Sequence, residues 1–449
     1  MEHKVFAYKD LSDLTDNLIA IGQNLCPNKD SSVLARPLSF GSIHMANRIA
    51  FQAMEGCDGE ISGEPSELTR RRYRRFAASG AAFQYVEATA VDANGRANPL
   101  QLMINEQTAP AFAQLRKEIR TVAQENGVCD PFVAIQLTHS GRYSKAPDRS
   151  PAPVVAYPDP ERDPKGVIPT VITDDQLDAL EEKYVQAARL AKEAGFDCVD
   201  IKCCHGYLLS ELMGARLRKG KYGGSFENRS RLINNITRRI RDEVGIAMMV
   251  RLNVHDEYPY PYGFGVDEKD FRIPDLTEPK LLVDMLIQNG VSIIDCTAGN
   301  PYYNPHVNRP FDTAGYVPPV SQLEQLMKHL NTVRELKEHN PNAIYIASMF
   351  TWLRQFAPHL ASAAIEQKWF DMAGWGRQSF AYPDFPHELL DTGEMNPKKC
   401  CLACSKCTDL MRTGNVTGCV LRDQYYTDLY QSIPLEKRPK PSKNLREKV

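Results

Sequence analysis

"TDDQLDALEEKYVQAARLAKEAGFDCVDIKCCH" (173–205) reads as a helix that hands the chain to a strand. Thr173 and Gln176 stand in capping-box spacing, so each side chain can satisfy the other residue's backbone N–H at the helix start. Leu177, Leu180, Tyr184, Ala187 and Ala191 form one apolar stripe, and Gly195 ends it. The run that begins at Cys198 is short and apolar on both faces, the pattern of a parallel strand buried on both sides. "PFVAIQLTH" (131–139), upstream of the helix, has the same character. The unit is strand, helix, strand.

Outward from this unit the same pattern recurs. "RIAFQAM" (48–54), "AFQYVEA" (82–88), "AMMVRLN" (247–253), "SIIDCTAG" (292–299), "AIYIASMF" (343–350) and "FDMAGWGR" (370–377) bring the strand candidates to eight, spaced by helical stretches. Eight evenly distributed strands predict a closed (β/α)8 TIM barrel, an α/β fold, with a doubly wound open sheet as the alternative. The expected organisation is an N-terminal extension (1–35), the barrel (36–390), and a cysteine-rich segment with a C-terminal tail (391–449). The charged, proline-bearing end "LEKRPKPSKNLREKV" (435–449) is expected to lie extended on the surface.

Composition narrows the function. A formal net charge of −2 over 449 residues offers no global field for nucleic acid or anionic membrane. "MEHKVFAYKD" (1–10) lacks an apolar signal core, and no run of about 18 apolar residues occurs. The expectation is a cytoplasmic protein with no membrane or nucleic-acid partner and with self-association left open. Of twelve cysteines, seven are scattered and most of those read as small buried hydrophobes; five crowd into "CCLACSKCTDLMRTGNVTGC" (400–419). Clustered cysteines in a reducing compartment point to metal or redox chemistry.

In a TIM barrel the chemistry sits at the C-terminal strand ends. Here those ends carry Ala53-Met54-Glu55, Glu87-Ala88, Gln136 to His139, Lys202 to Tyr207, Arg251, Gly299 and Gly376-Arg377. An arginine at the end of the eighth strand suits a phosphate, which its planar fork can grip. The "DEYPYPYGFGVDE" loop (256–268), with four aromatics among prolines and glycines, reads either as an apolar wall over a planar substrate or as a rigid surface turn.

"HGYLLSELMGARLRKGKYGGSFENRSRL" (205–232) resembles the signature region of the old yellow enzyme family of FMN-dependent oxidoreductases. "NRIAFQAM" (47–54), "VEATAVDANGRA" (86–97), "QLTHSGRY" (136–143) and "MVRLN" (249–253) resemble further family blocks in the same order. The resemblance implies FMN across the barrel mouth. Ala53, Met54, Glu55 and Ala88 would line the flavin, with Glu55 standing where Thr, Cys or His is usual. Gln136 would bond the pyrimidine edge, and Arg251 would sit where negative charge develops on reduction. Arg377, with Gly376 and the backbone of Met349 and Phe350, would hold the phosphate, although the family usually offers glycine in that last turn.

For catalysis, the resemblance implies that Lys202 and His205 hydrogen-bond a substrate carbonyl oxygen and that Tyr207 protonates its α-carbon. Lys202 departs from the usual His; a pair with a substrate carboxylate, or a structural pair with Glu55, are its alternatives. The 2,4-dienoyl-CoA reductase branch carries a histidine in the loop after the sixth strand that assists proton delivery, and His306 in "NPYYNPHVNRP" (300–310) is the candidate here.

Cys401, Cys404, Cys407 and Cys419 are spaced x2, x2 and x11, a pattern for a 4Fe–4S cluster, with zinc as the alternative. The 2,4-dienoyl-CoA reductase and trimethylamine dehydrogenase branch places such a cluster directly after the barrel, usually with x3 in the second gap. Cys400 competes with Cys401 as first ligand. Residues 420–449 hold no G-x-G-x-x-G, so electrons are expected either from a separate electron-donor protein through the cluster or from NAD(P)H directly. The expected function is an FMN- and iron–sulfur-dependent ene reductase, acting on a C=C bond conjugated to a carbonyl in an enone, enoate or enoyl thioester. An amine dehydrogenase of the trimethylamine dehydrogenase type and a non-catalytic, zinc-stapled electron-transfer or assembly subunit are the alternatives.

Overall fold

The computed structural model describes residues 4–439; most of the expected extended tail, 440–449, lies outside the described residues. The eight strands are β1 (Ile49–Phe51), β2 (Phe83–Ala90), β3 (Phe132–Thr138), β4 (Cys198–Ile201), β5 (Ala247–Asn253), β6 (Val291–Thr297), β7 (Ile344–Ala347) and β8 (Met372–Trp375). Each pairs in parallel with the next, and β8 closes on β1 through Gly374 opposite Ala50 and Trp375 opposite Phe51. The result is a closed TIM barrel.

The helices α1 (Glu67–Ala77), α2 (Ala109–Glu125), α3 (Asp174–Glu193), α4 (Phe226–Arg239), α5 (Thr277–Gln288), α6 (Gln322–His339), α7 (Ala357–Glu366) and α8 (Phe385–Thr392) follow their strands in turn. The capping box forms at α3: Gln176 N donates to Thr173 Oγ1 at 3.2 Å and Thr173 N donates to Gln176 Oε1 at 2.9 Å. Its apolar stripe is buried against the barrel, as the periodicity requires.

Two apolar layers result. Alternate strand residues such as Tyr85, Ala134, Cys198, Met249, Ile293 and Ile346 fill the barrel interior with Ile43 and Met45 of an antiparallel hairpin (Leu38–Phe40 with Ile43–Met45). The other layer lies between strands and helices, and Leu14 and Leu18 of the helix Leu11–Ala20 belong to it. The N-terminal extension is therefore packed into the barrel's core.

The cysteine-rich segment has a small core of its own, built from Leu410, Val420, Tyr426 and Ile433. It is pinned to the barrel by Thr417 N donating to Gly56 O at 2.6 Å, Asp312 N donating to Ala403 O at 3.1 Å, and Arg71 gripping Asp423 through both guanidinium nitrogens at 3.0 Å. These contacts bring its helix, Lys406–Arg412, to the barrel mouth.

Candidate active site

A cavity of about 580 Å³ opens at the C-terminal end of the barrel. The cavity is lined by Ala53, Met54 and Glu55 after β1, Gln136 on β3, Lys202, His205 and Tyr207 after β4, Arg251 on β5, Met349 after β7, and Gly376 and Arg377 after β8. Cys407, Thr408, Met411 and Arg412 of the cysteine-rich segment complete one wall.

The floor is polar. Gln136 Nε2 donates to Asp200 Oδ2 at 2.7 Å, Arg251 N donates to Asp200 Oδ1 at 2.6 Å, and Arg251 Nε lies 3.3 Å from Asp295 Oδ2. Asp295 also accepts from Gln52 Nε2 at 2.9 Å and from the Tyr85 hydroxyl at 3.0 Å. Burial dominates at Asp200 and pushes its carboxyl up to about 7, from an ordinary 3.8. A raised carboxyl contributes stability in full below its unfolded value, and that contribution is lost as pH rises to the folded value. Denaturant unfolding at about pH 5 and about pH 8 should therefore show the wild type losing stability towards the higher pH by more than Asp200→Asn does. Parallel behaviour of the two proteins would assign the pH dependence elsewhere.

The wall after β4 is a tight turn. His205 and Gly206 both have left-handed backbone, at φ 65° and 70°, and a Cβ on Gly206 would stand 2.3 Å from Asn300 Nδ2. Only glycine fits there. The turn sets Lys202, His205 and Tyr207 on one side of the cavity. Lys202 Nζ lies 3.3 Å from Glu55 Oε1 and 3.6 Å from the centroid of the Tyr207 ring. The Tyr207 hydroxyl lies 3.1 Å from Glu55 Oε1 and 3.0 Å from the Tyr302 hydroxyl. Burial, reinforced by the Glu55 carboxylate, raises the Tyr207 phenol well above its ordinary value, so it stays protonated. His205 is neutral, because burial and then the Arg251 and Lys202 cations pull its imidazole far down. Asn308 Nδ2 lies 2.7 Å from His205 Nε2 and donates to it when the ring proton is on Nδ1.

The corner after β8 is cationic. Arg377 and Arg309 both line it, and among the described residues neither has a carboxylate within salt-bridge distance. Arg377 Nη2 donates to Pro310 O, while Nη1 is buried with no partner among the described residues. Burial, followed by the charge of Arg377, lowers the Arg309 guanidinium. Met349 adopts φ 74° and ψ 0°, the left-handed conformation that glycine would take without strain. Gln52 and Arg377 line the cavity and each carries a buried polar atom, Oε1 and Nη1, with no partner among the described residues; with two cations at one end, this wall fits a ligand that carries an anionic group and a hydrogen-bonding ring.

Other expected residues lie elsewhere. Ala88 is fully buried outside the cavity lining, its carbonyl accepting from Gln101 Nε2 at 3.1 Å. A register shift between Val86 and Thr89 explains this: the extra residue turns Glu87 towards α1, where Arg72 and the Tyr73 hydroxyl hold it. The Phe350 ring packs on Phe370 and Trp375. His306 is buried away from the cavity, with Nδ1 2.7 Å from the Tyr316 hydroxyl. None of the four aromatics in the loop after β5 lines the cavity; Tyr258 donates to Asp159 and Tyr262 stacks on Tyr157, so this loop is a rigid turn.

The sequence did not single out Tyr143, Tyr302 or Arg309. Tyr143 lies within "QLTHSGRY", and the other two flank His306 in "NPYYNPHVNRP". Irregular loops have no periodicity from which the inward-facing side chain could be read.

Cys400, Cys401, Cys404, Cys407 and Cys419 surround one small void of about 20 Å³, and all five thiols are free. Among the described residues no three or more His, Cys, Asp or Glu side chains close on a single metal ion. A thiol-only donor set around one void fits a cluster, which spaces its ligands more widely than one ion does. Arg377 and Cys407 line both this void and the large cavity.

The model of the NADH:flavin oxidoreductase / NADH oxidase family matches residues 33–298. NADPH dehydrogenase of Geobacillus sp. (strain WCH70) is 29% identical over 273 residues, which are 60% of this chain and 73% of that protein. A 2-naphthoyl-CoA reductase in complex with 2-naphthoyl-CoA superposes with a TM-score of 0.72 at 20% identity, over 90% of this chain and 58% of that one. Histamine dehydrogenase from Rhizobium sp. 4-9 superposes with a TM-score of 0.68 at 19% identity, over 89% of this chain and 53% of that one. At such identities the likeness is one of fold, and this chain spans little more than half the length of either structure. Among the described residues no helix is long and apolar enough to cross a membrane.

Proposed function

Because the chain belongs to the NADH:flavin oxidoreductase / NADH oxidase family, we propose that this oxidoreductase is an FMN-dependent ene reductase, acting on a C=C bond conjugated to a carbonyl. The observation that carries this reading is Tyr207, a buried phenol held protonated in the cavity wall beside His205 and Lys202. FMN held in this cavity would supply the hydride chemistry. The chain supplies the rest. His205 Nδ1–H and a free N–H of Lys202 donate to the carbonyl oxygen as charge grows on it, and Tyr207 gives its proton to the α-carbon. Arg377 and Arg309 would hold the FMN phosphate, Gln136 and Arg251 would meet the ring's polar edge, and Ala53, Met54 and Glu55 would lie along it.

A 4Fe–4S cluster on Cys401, Cys404, Cys407 and Cys419 extends this reading. The shared walls at Cys407 and Arg377 support an electron path between cluster and flavin, with a separate electron-donor protein or NAD(P)H as the source. One observation favours amine oxidation: Tyr143, Tyr207 and Tyr302 group their rings at one end of the cavity, as an aromatic cage for a cation would. Lys202 already occupies that place over Tyr207, and its charge repels a second cation.

The test is an absorption spectrum of protein purified without oxygen, with flavin, iron and sulfide measured on the same sample. The expected result is one FMN with about four iron and four sulfide per chain. Flavin with zinc and no sulfide would leave the reductase standing and remove the relay. Folded protein that binds no flavin would overturn the proposal.

A further inference from the structure

A proton that Tyr207 gives up must be replaced before the next turnover, and Tyr207 is only 2% exposed. Its hydroxyl has two polar neighbours. Glu55 Oε1, at 3.1 Å, is engaged by Lys202 Nζ at 3.3 Å and serves as an acceptor. The Tyr302 hydroxyl, at 3.0 Å, belongs to a residue that is 47% exposed at the cavity mouth. Tyr302 is also firmly placed. Its ring stacks on Tyr143 with centroids 3.8 Å apart and planes 20° from parallel. Asn300 ties the pair together: its Nδ2 donates to the Tyr143 hydroxyl at 2.7 Å, and its Oδ1 accepts from Tyr302 N at 2.9 Å. Tyr302, half-exposed as a residue, therefore stands between the cavity mouth and the buried Tyr207.

We propose that Tyr302 returns the proton to Tyr207 after each turnover and takes its own replacement from water at the cavity mouth. The proposal rests on Tyr207 being the proton donor. In the alkene step the Tyr207 O–H bond breaks as the α-carbon–hydrogen bond forms, leaving a phenolate beside the Lys202 cation. The Tyr302 O–H bond then breaks as the Tyr207 O–H bond re-forms, and water reprotonates Tyr302. One solvent proton is consumed per alkene, and the relay moves no electrons. Tyr302 acts through Tyr207 and needs no contact with the substrate. His306, buried against Tyr316, has no part in this path.

Tyr302→Phe keeps the ring and its stacking partner and removes only the hydroxyl. Cyclohexenone is the probe, with a viologen as electron donor. Single-turnover reoxidation of pre-reduced protein should match the wild type, because Tyr207 begins protonated. Steady-state turnover should fall by about a hundredfold, the lower end of what a positioned proton transfer contributes, and should recover as imidazole buffer is raised. In ligand-free protein the Cζ resonance of isotopically labelled Tyr207 should shift as its hydrogen bond to Tyr302 is lost. Wild-type steady-state turnover would overturn the relay, and so would an equal fall in both phases, which would mean that Tyr302 only orients Tyr207. Tyr207→Phe in the same assays separates the two levels: unchanged single-turnover reoxidation there would sink Tyr207 as the donor, not the relay alone.

Discussion

Tyr207→Phe is expected to slow reoxidation of the reduced flavin by an enone by about a hundred- to ten-thousand-fold, the range for loss of a positioned general acid. Reduction of the flavin by a viologen should be nearly unchanged. The separation follows from the geometry. Phenylalanine preserves the ring beneath Lys202 Nζ, at 3.6 Å, and removes only the hydroxyl that meets Glu55 and Tyr302. Burial and the Glu55 carboxylate hold the wild-type phenol protonated, so the donor is present at every working pH. The substitution would therefore remove the proposed proton source while keeping the ring under Lys202. Equal loss of both half-reactions in a stopped-flow experiment would show that Tyr207 is a structural residue.

Arg377→Met should weaken FMN binding by about ten- to a hundredfold, as loss of a hydrogen bond to a charged group implies. Arg377 and Arg309 lie side by side in the cavity wall, and among the described residues no carboxylate pairs with either. The Arg309 guanidinium donates to the Thr408 hydroxyl, at 2.6 Å. Burial and mutual repulsion make this arrangement costly until a dianion lies between them. Bound FMN should consequently raise the melting temperature of the wild type, and by less in Arg377→Met. Quenching of flavin fluorescence by apoprotein measures the affinity directly. Unchanged affinity would place the phosphate elsewhere in the cavity.

The barrel was legible in the sequence because its signals are periodic. The capping box at Thr173 and Gln176, the stripe from Leu177 to Ala191 and the apolar run at Cys198 each report a local geometry that tertiary packing reinforces. Strand-end residues such as Gln136, Lys202, Tyr207 and Arg251 followed once the barrel was drawn. Two kinds of position did not. Ala88 was expected at the cavity, and an extra residue between Val86 and Thr89 rotates the strand, which no alternation of residue types announces. In the loop after β6 the family resemblance named His306 as a candidate, whereas the backbone buries that ring and presents Tyr302 and Arg309 to the cavity. The glycine expected after β7 is replaced by Met349, which reaches the left-handed conformation all the same. Such a residue costs about 1–2 kcal/mol of backbone strain, and it is sustained by the surrounding structure. The clustered cysteines were easy to see, and the fold gathers all five, Cys400 included, around one void.

The central claim is that this cavity reduces an activated alkene, and it meets its most direct test in one anaerobic mixing experiment. Protein reduced beforehand and freed of excess reductant is mixed with an enone, an enoate or an enoyl thioester while the flavin absorbance is followed. Reoxidation of the flavin by at least one of these, with the matching saturated product in equal amount, is the predicted result. A flavin that stays reduced against all three, yet is reduced from its oxidised form by an amine, would contradict the account and make the protein an amine dehydrogenase.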